Sequence, residues 1–341
     1  MATVMVTACA LVPGVCPDPG PEIYDASVEA IVCTLASNMK DAEATLRKHE
    51  PGPARYLSPT TCDTATTEPR SSHGSDDGPP PAQRAPRVIV QTELGPVTGN
   101  LILVPGAARI VVVFSGLGVP AAGVVAREFA EEAASLGMSS FRIERSDLKR
   151  PFNLDPKIEA ERAMAAIEVV IRTCAQDGSQ VAFAGFSAGG MEALLAARAS
   201  GAPVAVLDPL LDPMAVCQHL DRTVPESIGH AQNQRFFRRM LSERFEEPGI
   251  GLCEVLGRSF REGSTRNSDA PASWLCELAP DERRKFGIML SKEDPALGTD
   301  NRAVLETCGF PVQLLDVEGH VPVSCAPHAV RDLLRPLTAE R

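Results

Sequence analysis

Aromatic side chains are scarce: Phe, Trp and Tyr together make up 4% of the 341 residues, with one Trp and two Tyr. A buried core must therefore be filled by Val, Leu, Ile and Ala. Positive charge is short as well, since 33 Lys and Arg against 44 Asp and Glu leave a formal charge of −11. That balance argues against nucleic acid, which needs a clustered basic surface. A local cluster, Arg235, Arg238 and Arg239, reads as a solvated helix face. No CxxC pair occurs among the ten cysteines, at positions 9, 16, 33, 62, 174, 217, 253, 276, 308 and 325. Zinc sites use such close pairs, so neither a metal site nor a disulfide framework is expected. No apolar run approaches the ~20 residues that span a bilayer. The opening MATVMVTACALVPGVC is mildly apolar, but no Lys or Arg precedes Lys40 to supply the basic start of a signal peptide. A cytoplasmic protein with mostly reduced cysteines is expected.

What is present is ordinary for a globular chain: 44% hydrophobic and 23% charged residues, in a length that can bury a sizeable core. Composition changes near residue 87. Residues 50–86 are dominated by Pro, Ser, Thr, Gly and charge, and such a stretch is expected to be a flexible linker. Residues 1–49 form an extension in which Val28, Ile31, Val32, Leu35, Met39 and Leu46 fall close to one helical face. That helix packs back on the main domain, stays loosely ordered, or docks a protein partner.

From residue 87 onward, strand and helix patterns alternate. RVIVQTEL and GNLILVP flank a turn with Gly95, Pro96 and Gly99, reading as a hairpin. RIVVVFSG, SSFRIER, SQVAFAG, PVAVLDP, KFGIMLS and PVQLLDV read as strands. Helical patterns cover 121–136, 156–174, GGMEALLAARA, TDNRAVLETC and HAVRDLLRPL. The alternation predicts an α/β domain over 87–341, a mostly parallel sheet with helices on both faces. Some seventy residues between the strands ending near Leu211 and starting near Phe286 lack a strand pattern. An excursion of that length predicts a helical lid over about 213–280.

The most specific local pattern is Gly185-Phe186-Ser187-Ala188-Gly189-Gly190, between an apolar strand and an Ala-rich helix. A sharp strand-to-helix turn exposes a serine hydroxyl only if the residues two positions away are small. A helix beginning at the serine also aims its N-terminal dipole at any negative charge that develops there.

With this motif in this context, residues 87 to 338 resemble the α/β-hydrolase superfamily. The resemblance implies a triad in the order Ser, acid, His, with Ser187 as nucleophile. It implies His320, in VQLLDVEGHVPV just past the last apolar strand, as the base; His328, His219 and His230 are its competitors. For the acid it implies Asp294 in MLSKEDPALG, with Asp212 in PLLDP as the alternative. The backbone N–H groups of Ala188 and Leu117 would form the oxyanion hole, with Ser115 standing where the family often has His. The expected activity is hydrolysis of an ester, thioester or lactone of a small-molecule acyl substrate through an acyl-enzyme, without metal or organic cofactor. An acyltransferase with the same triad, and a hydrolase-fold binding protein that has lost turnover, are the alternatives.

Overall fold

The computed structural model describes residues 54–66, 85–116, 121, 123–145, 155–176, 178–215, 267–294, 300–318, 321 and 328–338. The expected N-terminal helix, most of the linker, residues 216–266 of the expected lid, Leu117 and His320 lie outside them.

Nine strands form one sheet: β1 (Arg55–Tyr56), β2 (Arg87–Thr92), β3 (Gly95–Ile102), β4 (Arg109–Phe114), β5 (Ser139–Ile143), β6 (Gln180–Phe186), β7 (Val204–Pro209), β8 (Phe286–Glu293) and β9 (Val312–Glu318). Their order is β1-β2-β3-β5-β4-β6-β7-β8-β9. Only the pairs β2–β3 and β3–β5 are antiparallel; from β5 to β9 every pair is parallel.

Period-two alternation builds the two sides of the core. Along β4, Ile110, Val112 and Phe114 join one buried cluster, and Val111 and Val113 join the other. In β7, Val204 and Val206 face the first cluster while Ala205 and Leu207 face the second. Four main helices complete these layers. Helices α3 (Pro156–Thr173) and α4 (Ser187–Ser200) bury Ala163, Ile167, Met191 and Leu194 in the first cluster. Helices α2 (Val124–Ser135) and α6 (Ala329–Leu334) bury Val125, Phe129, Val330 and Leu333 in the second. A further helix, α5 (Asp300–Thr307), lies between β8 and β9 in sequence.

Two expectations need correction. Residues 54–66, within the stretch expected to be a flexible linker, form β1 and helix α1 (Pro59–Ala65). The helix starts with a reciprocal cap between Ser58 and Thr61, and Cys62 and Ala65 are buried against the sheet. The second correction concerns the thiols. All four described cysteines are paired, Cys62 with Cys174 and Cys276 with Cys308. The partners stand 112 and 32 residues apart, so no local spacing signals them. Disulfides belong to oxidising environments in most proteins, and the pairing withdraws the support that reduced thiols gave to a cytoplasmic location. No described helix is long and apolar enough to cross a membrane.

Candidate active site

Strand β6 ends at Phe186 and α4 begins at Ser187 with no intervening loop. The turn demands that Ser187 take a left-handed backbone, φ 55°. Such a conformation is uncommon for a residue with a side chain. The neighbours explain how the turn closes. A Cβ on Gly185 would stand 2.5 Å from the Gly189 carbonyl oxygen, and one on Gly189 would collide with the carbonyl oxygens of Phe114 and Ser115. At Gly190 it would lie 2.8 Å from Pro209. Phe186 anchors the turn from below, its ring 5.8 Å from that of Phe129 on α2. Ser187 itself is 7% exposed.

The residue after the nucleophile candidate, Ala188, lies in the first turn of α4, whose start no side chain caps. The first N–H groups of a helix lack intrahelical partners and carry the positive end of its dipole, which favours an anion there. Ser115 and Gly116 follow β4 alongside; a Cβ on Gly116 would be 3.2 Å from Ser187 Cβ. Ser115, standing where a histidine was expected by resemblance, is fully buried.

The carboxyl end of β7 meets the same turn. Pro209 forms a parallel bridge with Ser187, and the Leu210 N–H donates to the Ser187 carbonyl at 2.9 Å. Asp208, next to it, is fully buried. Its Oδ1 accepts the Ser291 N–H at 2.7 Å, and its Oδ2 accepts the Ser291 hydroxyl at 2.6 Å and the Val321 N–H at 2.9 Å. Val321 is the residue after His320.

The two candidate acids differ in what surrounds them. Asp212 Oδ1 accepts the N–H groups of Met214 and Ala215, both at 3.0 Å, so its carboxylate caps a helical turn. Asp294 directly follows β8 and is half-buried. The register pairs Glu293 with Glu318 across a bulge, so the chain leaves β8 at Asp294 beside the exit of β9 toward Gly319 and His320.

Beneath the site lies a buried ion pair that sequence reading missed. Arg145, following β5, places Nη1 2.5 Å from Glu192 Oε1 on α4, and both side chains are almost wholly shielded. The same nitrogen stands 3.5 Å from the Ser115 carbonyl oxygen. A lone Glu inside GGMEALLAARA, and a lone Asp closing VAVLDP, were the available signals: charge within an otherwise apolar run must find a partner when buried. Among the described residues no cluster of His, Cys, Asp and Glu could hold a metal ion.

No protein-family model matches the sequence, and no curated protein matches it. Solved structures are similar in fold. An esterase from Pyrococcus furiosus, Pf2001, is 13% identical, with 79% of this chain and 96% of that one covered and a TM-score of 0.51. Carboxyl esterase 2 from the mycorrhizal fungus Tuber melanosporum is 17% identical, with 80% and 90% covered and a TM-score of 0.49. The strand order, the helices on both faces and the strand–serine–helix turn agree with that likeness, and the chain has the α/β-hydrolase fold.

Proposed function

We propose that this chain is a serine hydrolase that cleaves an ester, thioester or lactone through an acyl-enzyme. The observation that carries the reading is Ser187 itself, held in a left-handed conformation between β6 and α4 by glycines that leave no room for a Cβ. A residue with a side chain persists in such a conformation where the surroundings over-determine it, and these places concentrate at functional sites. Ser187 Oγ attacks the carbonyl carbon while His320 takes its proton. The tetrahedral oxyanion is held by the N–H groups of Ala188 and Leu117. As the intermediate collapses, His320 returns the proton to the departing alkoxide or thiolate, and a water activated by the same histidine then releases the acid. Asp294 is the acid that orients the histidine, a role supported by the β8–β9 register that brings the two strand exits together. The reaction needs no metal or organic cofactor.

The test is labelling with a fluorophosphonate probe, read by peptide mass spectrometry, alongside p-nitrophenyl esters of graded chain length and acyl-CoA thioesters. Adduct on Ser187, and loss of several decades of turnover in Ser187→Ala, is the expected result. A variant that keeps more than about a tenth of the wild-type rate would place the nucleophile elsewhere.

A further inference from the structure

Among the described residues, four that carry side chains have positive φ: Ala175, Ser187, Asp208 and Val321. The last three belong to one connected set. Ser187 bridges to Pro209, Pro209 follows Asp208, and Asp208 accepts the N–H of Val321 at 2.9 Å. Val321 is the most unusual of them, a β-branched residue at φ 53° and fully buried; for such a side chain the left-handed region is a genuine outlier. A strained residue stays where its neighbours hold it. The described neighbour that bonds its backbone is Asp208.

We propose that Asp208 is a positioning residue whose carboxylate holds Val321, and with it the preceding His320, against the ends of β7 and β8. The inference rests on the reading of His320 as the base. The buried carboxylate bonds two of the segments concerned, and its own chain reaches the third. Pro209, its chain neighbour, is bridged to Ser187. Ser291, which gives it both a backbone N–H and a hydroxyl, stands three residues before Asp294 on β8. Val321 follows His320. Hydrogen bonds to an ionised acceptor are shorter and stronger than neutral ones, and the 2.6–2.9 Å lengths here fit that class. A neutral amide could not replace it: three N–H and O–H donors spread over both oxygens would leave at least one facing an NH₂ group.

The experiment compares wild type, Asp208→Asn, Ser291→Ala and Asp294→Asn on three readouts: the rate of fluorophosphonate labelling against probe concentration, near-UV circular dichroism, and hydrogen exchange at the Val321 amide. In wild type the Val321 amide should exchange as slowly as the central strands. Asp208→Asn should keep the native spectrum and label about 10- to 100-fold more slowly, as misplacement of a catalytic group does. The loss should lie in the maximal labelling rate and leave the half-saturating probe concentration unchanged, because the clamp positions a group and does not bind the probe. Ser291→Ala, which removes one hydroxyl and leaves the charge and both backbone bonds, should slow labelling about two- to fivefold and speed Val321 exchange. A folded Asp208→Asn with an unchanged maximal labelling rate would overturn the proposal. So would a loss in Asp208→Asn as deep as that of Ser187→Ala while Asp294→Asn stays within tenfold, since Asp208 would then be the triad acid itself. If Asp208→Asn does not fold, Ser291→Ala decides, and wild-type rate and exchange in that variant would refute the clamp. A wild-type protein that takes no label at Ser187 defeats the hydrolase reading instead, while Val321 exchange still tests the clamp.

Discussion

Left-handed backbone is used in two ways in this molecule. At the outer turns it falls to glycine: Gly95 (φ 98°) reverses the chain between β2 and β3, and Gly201 (φ 73°) ends α4, its N–H bonded to the Ala197 carbonyl at 2.8 Å. At the carboxyl end of the sheet it falls to Ser187, Asp208 and Val321. Ala175, after α3, is the exception to this division among the described residues. Glycine adopts the conformation without steric penalty, whereas a side-chain residue there costs on the order of 1–3 kcal/mol. At the periphery only the path of the chain matters. At the strand ends the surroundings hold side-chain residues in it, Ser187 by the glycine-lined turn and Val321 by its bond to Asp208.

Breaking this division at its centre should have the largest effect. Ser187→Gly removes both the hydroxyl and the steric conflict, so turnover should fall by several decades. Stability should hold or rise by up to about 1 kcal/mol, read as the urea midpoint. A matching loss of stability would mean that Ser187 is not strained. Next in size is the Cys62–Cys174 bond, which ties α1 to the end of α3. Replacing both cysteines with serine should cost about 2–5 kcal/mol in chemical denaturation. The rate of fluorophosphonate labelling should be unchanged. Reduction that leaves the melting temperature where it was would show that the pair contributes nothing to the fold.

Two glycine substitutions sharpen the contrast. Gly189→Ala drives a methyl group into the Phe114 and Ser115 carbonyls, and overpacking against immovable backbone should cost about 3 kcal/mol or more and abolish labelling. Gly201→Ala meets nothing within 4 Å and bears only the left-handed penalty, about 1–2 kcal/mol, with labelling intact. Equal damage from both would erase the distinction between a turn shaped by packing and one shaped by φ alone.

Much of the architecture was legible from local pattern. The strands announce themselves because side-chain period and burial are set within six to eight residues, as in RIVVVF, where every residue is buried. The helices announce themselves through spacing, as over 156–174, where the structure adds the cap: the Asp155 side chain accepts the Ile158 N–H at 3.3 Å. The turn at Ser187 was legible for the same reason, since the steric demand of a strand–serine–helix junction falls on residues two positions away. What only the tertiary structure decided involves partners distant in the chain. Residues 54–66 look like linker because their hydrophobic content is low, yet β1 gains a neighbour in β2 and α1 is stapled to α3. Asp208 looks like the end of a strand until Ser291 and Val321, 83 and 113 residues away, converge on its carboxylate. Glu192 looks like a stray charge in an apolar helix until Arg145 reaches it from β5. Periodicity records which face of an element is buried. It carries no record of which remote group satisfies a buried charge or holds a strained backbone, because those partners are chosen by the crossing of elements and not by the elements themselves.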